Sequence, residues 1–244
     1  MKVLAALIIA AFAVSSPVPA TEQALLNTTA QLNIRQTGII AKEFTMGGCR
    51  DVIFIFARGS TEAGNMVIPV PQRMFRSPNA RIRNGTSVGP PTSDGLKKKY
   101  GDSKVATEGV DYPAALSTNL LPGGADPVGV AEMKRLLTDA TGKCTASKIV
   151  AGGYSQGAAA AHRAIESLPD SAKNKILGVV TFGDTQNQQD KGQIPNFPKD
   201  KVEIICNKGD EVCKGTLEVK LAHLDYERRV PEAVDFLVGK IGKL

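Results

Sequence analysis

Residues 148–168 have the sequence KIVAGGYSQGAAAAHRAIESL. In this stretch an apolar run is followed by Gly153-Tyr154-Ser155-Gln156-Gly157 and then by an alanine-rich run. A strained turn between a strand and a helix admits only small residues beside a serine, and it lifts the serine hydroxyl to the edge of the sheet. The order of strand, glycine-flanked serine and helix therefore predicts a nucleophile at Ser155, while a plain strand-to-helix loop is the alternative.

The rest of the chain alternates short apolar segments with longer helical patterns. This alternation predicts a three-layer α/β/α sandwich around a central, mostly parallel sheet of five strands. The predicted strands are 52–57, 104–110, 148–151, 176–182 and 202–206. The predicted helices are 127–141, 156–168 and 231–241.

A serine nucleophile needs an imidazole to accept its proton, and the chain has two histidines. His162 comes seven residues after Ser155 on the predicted helix, roughly 10 Å along its axis. It cannot reach the hydroxyl from there, so we expect a solvated residue on the helix face. His223 follows the last predicted strand, where α/β proteins place site residues. We therefore predict His223 as the general base, with a histidine that merely packs in a loop as the alternative.

A carboxylate must hold the imidazole and stabilise its charged form. Asp210 is the best candidate, because it follows the last strand and precedes His223. Asp184 after strand 176–182 is a weaker rival, and Glu211 is expected to point to solvent. A turn residue beside a glycine is the alternative for Asp210.

Four segments together resemble fungal cutinases: GGYSQG at 152–157, ARGSTE at 57–62, residues 206–213, and Ala222-His223-Leu224. The resemblance runs from about Cys49 to the C-terminus. It implies an α/β-hydrolase fold and a serine esterase that cleaves cutin and related aliphatic esters through an acyl-enzyme, with Ser155, Asp210 and His223 as the triad. The chain order Ser, Asp, His agrees with that fold. Neither a metal nor an organic cofactor is expected.

The resemblance also implies an oxyanion hole. Its donors would be the backbone N–H groups of Ser60 and Gln156, helped by the Ser60 hydroxyl, which Asn119 would hold. The positions of Gln156 and Ser60 agree with this independently, because such donors come from the residue after the nucleophile and from an earlier strand-to-loop turn. Apolar lips for an acyl chain would be formed by Leu116, Leu217, Val219 and Leu224, for which ordinary loop packing is the alternative.

The N-terminus indicates export. Residues 1–20 have a basic start, a short apolar run and small residues for cleavage, which is typical of a signal peptide rather than a membrane anchor. Residues 21–48 are polar and weakly patterned, so we interpret them as a propeptide or flexible N-terminal arm. Residues 49–244 then form the catalytic domain. We expect a secreted, extracellular monomer that acts on a polymeric or small ester and binds no membrane.

The four cysteines permit three pairings in an oxidising compartment. Cys206 and Cys213 bracket Asp210, and their bridge would stiffen the loop that positions this carboxylate. That leaves Cys49 with Cys144, the pairing that the resemblance also implies. A zinc site is the alternative, but there is no C-x-x-C pair and the histidines lack ligand spacing.

The net charge of +6 is modest, and its basic residues are dispersed among acids without an aromatic platform. Nucleic-acid binding is therefore not expected. Sequons at Asn27 and Asn84 could be glycosylated in a secreted chain. Residues 66–84 depart from the cutinase pattern and are either a loop over the active-site mouth or an error of the gene model. Two other functions stay open, an acetylxylan esterase of the same fold and a non-catalytic surface or effector protein.

Overall fold

The computed structural model describes residues 36–62, 64–66 and 88–244. Its sheet has five strands in the order β2-β1-β3-β4-β5, and every neighbouring pair is parallel. The strands are β1 (Val52–Ala57), β2 (Val105–Gly109), β3 (Lys148–Tyr154), β4 (Ile176–Phe182) and β5 (Val202–Ile205). The predicted five-stranded α/β architecture is confirmed, and β3 runs three residues further than the sequence pattern predicted, up to the turn before Ser155.

Helices cover both faces of the sheet. They are α1 (Glu43–Gly47), α2 (Gly89–Tyr100), α3 (Pro127–Lys143), α4 (Gln156–Glu166), α5 (Asp170–Lys173) and α6 (Val230–Ile241). Short 3₁₀ helices lie at Asp102–Lys104, Leu116–Leu120, Lys199–Lys201, Val212–Lys214, Leu221–Leu224 and Glu227–Arg229. One apolar core packs under α3 and α4, and the other under α2 and α6. Because both faces are covered, all six side chains of β1 are buried.

Helix α2 is absent from the sequence prediction. Its segment contains Pro90, Pro91 and Gly95, which are poor helix formers in an interior. Both prolines fall in the first turn, where a missing N–H costs no hydrogen bond. Gly95 lets α2 approach α6 closely, since a Cβ there would lie 2.5 Å from Cγ2 of Val234. Tertiary packing, which local propensity does not report, therefore stabilises this helix.

Residues 36–48 lie in the same compact unit as the remainder of the described chain. Glu43 pairs with the buried ammonium of Lys97 at 2.6 Å. The backbone N–H of Ala41 donates to the Asn65 side chain at 2.8 Å, and that side chain donates back to the Ala41 carbonyl at 2.9 Å. These contacts tie residues 41 and 43 to other segments of the domain. The interpretation of residues 21–48 as a propeptide or flexible N-terminal arm, with residues 49–244 as the catalytic domain, stays a prediction.

Several sequence predictions lie outside the described residues. They concern the signal peptide 1–20, the sequons at Asn27 and Asn84, and residues 67–84 of the divergent segment. Within the part of the chain that the structure describes, none of the helices combines the length and apolarity that crossing a bilayer requires.

Candidate active site

Ser155 occupies the turn between β3 and α4 with φ 53° and ψ −119°. A positive φ is rare for a residue with a side chain. Two glycines make this turn possible: a Cβ on Gly153 would lie 2.2 Å from the Gly157 carbonyl oxygen, and one on Gly157 would lie 2.0 Å from the Ala57 carbonyl oxygen. The glycines that flank the serine in the sequence therefore have a steric cause.

His223 lies in the 3₁₀ helix Leu221–Leu224 and is 2% exposed. Its Nε2 is 3.0 Å from Ser155 Oγ, and its Nδ1 is 2.9 Å from Asp210 Oδ2. The ring of Tyr154 stacks on the imidazole with 5.3 Å between centroids, and its hydroxyl donates to the His223 carbonyl at 2.8 Å. The ring is thus held with one nitrogen toward the serine and the other toward the carboxylate.

Asp210 receives hydrogen bonds beyond that of His223. The Val212 N–H donates to Oδ1 at 2.9 Å, and the hydroxyl of the fully buried Tyr226 donates to Oδ2 at 2.6 Å. Burial raises the pKa of Asp210, but the hydrogen bonds from His223 and Tyr226 outweigh it and hold this pKa below its ordinary value. Tyr226 was not predicted from the sequence, because a tyrosine three residues after a histidine carries no periodic signal.

Asp184, the rival carboxylate, lies beside the other histidine. Its Oδ2 is 2.9 Å from His162 Nε2, and His162 Nδ1 is 2.6 Å from Asp190 Oδ2. The expectation of a solvated His162 is wrong, since this side chain is fully buried. Ala161 and Arg163 flank it on α4, and its two carboxylate partners come from the loop after β4.

The oxyanion donors predicted from the sequence lie on two segments. Asn119 Nδ2 donates to Ser60 Oγ at 2.9 Å and to the Leu116 carbonyl at 2.9 Å. Gln156 is the first residue of α4, and the first N–H groups of a helix have no acceptor within it. Its side-chain Nε2 donates to the Ala115 carbonyl at 2.9 Å. This geometry suits an anion that forms beside Ser60 and the start of α4.

The loop that carries Ser60 is held by two ionisable side chains, Arg58 and Glu62, for which the sequence predicted no role. Arg58 Nη2 donates to the Tyr112 carbonyl at 2.6 Å, and the Gly59 N–H donates to Glu62 Oε2 at 2.7 Å. Burial raises the pKa of Glu62 to about 8, against the opposing effects of the Gly59 hydrogen bond and the Arg58 charge. Two charged residues in a short loop after a buried strand were the available signal.

A cleft of about 810 Å³ opens beside Ser155. The apolar side chains expected at its rim all line it, with exposed fractions of 64%, 50%, 54% and 39% for Leu116, Leu217, Val219 and Leu224. Leu120, which is 77% exposed, and the buried Val212 line it as well and were not anticipated. The cleft therefore offers an apolar surface next to the serine.

The four cysteines form the disulfides Cys49–Cys144 and Cys206–Cys213. The first ties the segment before β1 to the end of α3, and the second closes the loop that contains Asp210. Within residues 36–62, 64–66 and 88–244, no group of three or more His, Cys, Asp or Glu side chains is arranged to hold a metal ion.

A parallel sheet with a serine in the turn after its central strand, followed along the chain by an aspartate and then a histidine, defines an α/β-hydrolase. The Cutinase family model matches residues 77–241. "Probable cutinase 1" of Aspergillus niger is 45% identical over 207 residues, which cover 84% of this chain and 72% of that protein. "Cutinase CUT2" of Pyricularia oryzae is 43% identical over 211 residues, which cover 86% and 90%.

Among solved structures, the Trichoderma reesei cutinase in complex with a C11Y4 phosphonate inhibitor is similar, with a TM-score of 0.65 and 26% identity. The match covers 91% of this chain and 87% of that one. The chain belongs to the cutinase family, whose members are carboxylic ester hydrolases.

Proposed function

We propose that this protein is a secreted cutinase that hydrolyses cutin and related aliphatic esters through an acyl-enzyme on Ser155. The observation that carries this proposal is the chain of contacts from Ser155 Oγ to His223 at 3.0 Å and from His223 to Asp210 at 2.9 Å. These three residues lie beside an apolar cleft, and membership of the cutinase family supplies the reaction class.

The first half-reaction acylates the serine. Ser155 Oγ attacks the ester carbonyl carbon while its proton passes to His223 Nε2, and the carbonyl π electrons move to the oxygen. The N–H groups of Ser60 and Gln156 and the Ser60 hydroxyl bind that oxyanion. When the tetrahedral intermediate collapses, the bond to the leaving oxygen breaks, and the imidazolium donates its proton to the departing alcohol.

The second half-reaction releases the acid. A water molecule gives a proton to His223 Nε2 and attacks the acyl carbon, and the same donors stabilise the second oxyanion. The bond from the acyl carbon to Ser155 Oγ then breaks, and the proton returns to the serine. Asp210 stays ionised throughout, because its hydrogen-bond donors hold its pKa low. Its charge stabilises the imidazolium at each step.

The cleft favours an aliphatic substrate over an acetylated polysaccharide. A bulky polar substrate needs hydrogen-bonding groups around the serine, whereas exposed leucine and valine side chains form this rim. The charges of Glu218 and Lys220, which interrupt the apolar pattern there, pair with each other at 3.4 Å. The assembled triad geometry argues against a non-catalytic scaffold protein.

The test of substrate class is hydrolysis of esters of increasing acyl length, of cutin, and of acetylated xylan by the purified protein. We expect cleavage of cutin and of short and medium aliphatic esters, with little acetate released from xylan. Ser155→Ala is the control for contaminating esterases. Preferential release of acetate from xylan would favour an acetylxylan esterase, and no cleavage of any ester by a folded protein would favour a non-catalytic role.

A matched pair of variants tests the role of the rim. Val219 in the rim and Val128 at the start of α3 are both 54% exposed. Val219→Gln should raise KM for long-chain esters and weaken action on the polymer, because the polar amide must be desolvated against the acyl chain. Val128→Gln makes the same chemical change away from the serine and should leave both unchanged. Equal effects of the two substitutions would contradict a rim that binds substrate.

Export and oligomeric state belong to the same proposal. The signal-like residues 1–20 support secretion, and the paired cysteines suit an oxidising compartment. N-terminal sequencing of protein collected from the culture medium would locate the cleavage site. We propose a monomer, for which a measured mass in solution of about twice the chain mass would be contrary evidence.

A further inference from the structure

A second histidine–carboxylate cluster lies between α4, which carries His162, and the loop after β4, which carries Asp184 and Asp190. The imidazole of His162 is fully buried, with Asp184 Oδ2 at 2.9 Å from Nε2 and Asp190 Oδ2 at 2.6 Å from Nδ1. Asp184 is itself fully buried, and it also accepts hydrogen bonds from Thr181 Oγ1 at 2.7 Å and from the Gln186 N–H at 2.8 Å. Every polar atom of the imidazole therefore faces a carboxylate.

This arrangement determines the protonation state of the ring. A neutral imidazole has one N–H donor and one bare nitrogen, so one of the two carboxylates would face a lone pair. An imidazolium has two N–H donors and satisfies both contacts. Burying a carboxylate against an unprotonated nitrogen costs free energy that two charge-assisted hydrogen bonds avoid.

The neighbouring charges support an imidazolium. Among the described residues, the charged groups that contact His162 are Asp184 and Asp190, both from the loop after β4. Arg163 on α4 pairs with Asp190 and with Glu166. Burial lowers the pKa of His162, but the two aspartates outweigh it and raise this pKa to about 9. The pKa of Asp184 is lowered by the same contact despite its burial.

Residues 183–190, which the cluster anchors, contact the triad directly. A Cβ on Gly183 would lie 2.7 Å from Cε1 and 2.9 Å from Nδ1 of His223, so the backbone there is packed against the imidazole. Asn187 Nδ2 donates to the Cys213 carbonyl at 3.1 Å, in the disulfide loop that holds Asp210. Thr185 lines the cleft. One short segment thus contacts the catalytic ring, the carboxylate loop and the substrate cleft.

We propose that His162 is a positioning residue of the esterase site: as an imidazolium between Asp184 and Asp190 it holds residues 183–190 behind His223, and loss of its proton in alkaline solution loosens them. The proposal rests on the proposed function, because its main readout is ester hydrolysis at Ser155. It predicts a decline of kcat on the alkaline side that follows the titration of His162.

The first test uses the wild-type chain labelled with ¹⁵N-histidine, whose spectrum contains two imidazoles. At neutral pH we expect one ring with protons on both nitrogens, assigned to His162 by its loss in His162→Gln. This ring should titrate near pH 9, and kcat for a short soluble ester should fall over the same range. A ring of His162 that carries one proton at neutral pH would overturn the proposal.

Two variants test the positioning role. His162→Gln retains one hydrogen-bond donor without the charge, and we expect kcat at neutral pH to fall about 10-fold to 100-fold, the cost of a small misplacement of catalytic groups. KM should change little, and the alkaline decline should disappear. If that variant fails to fold, Asp190→Asn serves instead: it removes one anion, so the titration of His162 and the decline of kcat should both move to lower pH. A decline that stays in place while the titration moves would overturn the proposal.

Lys97→Met is the control for a purely structural effect. Lys97 is a buried cation that pairs with Glu43 at 2.6 Å on the opposite face of the sheet. This variant should be less stable with an unchanged kcat profile, and an altered profile would mean that any buried charge produces the effect. Hydrogen exchange of the Gln186 amide, which donates to Asp184, gives a readout independent of activity. If the wild type cleaves no ester, the proposed function fails. A protection factor of the Gln186 amide that falls as pH rises through 9, measured against the intrinsic base-catalysed exchange rate, still tests whether His162 holds residues 183–190.

Discussion

Tyr226 and His223 donate to the same carboxylate oxygen of Asp210, at 2.6 Å and 2.9 Å. The tyrosine hydroxyl in turn accepts the Asn207 N–H at 2.9 Å. Asp210 is therefore fixed from two sides, and part of its negative charge is shared with a neutral donor. A buried fourth residue, Tyr226, therefore holds the carboxylate of the proposed triad in place.

Removing the Tyr226 hydroxyl should change both the rate of ester hydrolysis and its dependence on pH. In Tyr226→Phe the carboxylate loses a donor, so more of its charge acts on the imidazolium. We expect the acidic limb of the kcat/KM profile to move to higher pH and kcat to fall, because the carboxylate is less well oriented. The free energy of unfolding should drop by about 1–3 kcal/mol, since the Asn207 N–H loses its acceptor.

Tyr100→Phe is the matched control. Its hydroxyl donates to the Gly242 carbonyl at 2.9 Å at the protein surface, far along the chain from the triad. The pH profile of this variant should equal that of the wild type. An unchanged profile in Tyr226→Phe as well would show that Tyr226 acts on stability alone.

The two candidate carboxylates are distinguished by substitution. Asp210→Asn should lower kcat by about 10⁴-fold, because an amide in place of the carboxylate stabilises neither the correct tautomer of His223 nor its imidazolium. Asp184→Asn leaves the contact between His223 and Asp210 intact and should cost far less, through His162. Steady-state kinetics on a soluble ester, with circular dichroism to verify folding, measures both. The reverse order of effects would mean that Asp184 is the catalytic carboxylate.

The Ser60 hydroxyl offers a test of preorganised oxyanion binding. Ser60→Ala keeps the backbone N–H and should lower kcat by about 10²-fold to 10³-fold, or about 2.7–4 kcal/mol, with KM little changed. Asn119→Ala should cost less, and its effect should largely vanish in the Ser60→Ala background, because both act through the 2.9 Å contact between them. Additive losses in the double variant would indicate two independent roles.

Stability should have a defined window of pH. His162 has its pKa raised from 6.5 to about 9, so its contribution is complete below 6.5 and is lost as pH rises through 9. Asp210 has its pKa lowered from 3.8, so its contribution is complete above that value and is lost as pH falls further. Urea unfolding across pH should show the alkaline loss in the wild type. The same alkaline loss in His162→Gln would assign it to another group.

The sequence was sufficient where a structural feature depends on neighbouring residues. Strands buried on both faces are continuous apolar runs, so β1 and β4 could be delimited from composition alone. The turn at Ser155 could be predicted because its close backbone approach requires glycine at 153 and 157, whatever the remainder of the chain does. The serine turn and the limits of these strands were therefore determined locally.

Tertiary structure decided which polar groups meet. Nothing adjacent to His162 in sequence indicates burial; Asp184 and Asp190, which are 22 and 28 residues away, make it possible. Tyr226 reaches Asp210 across 16 residues, and α2 is stabilised by its close contact with α6 rather than by its own propensity. A buried charge or hydroxyl is tolerated only beside a specific partner, and which loops supply that partner follows from the packing of the whole sheet.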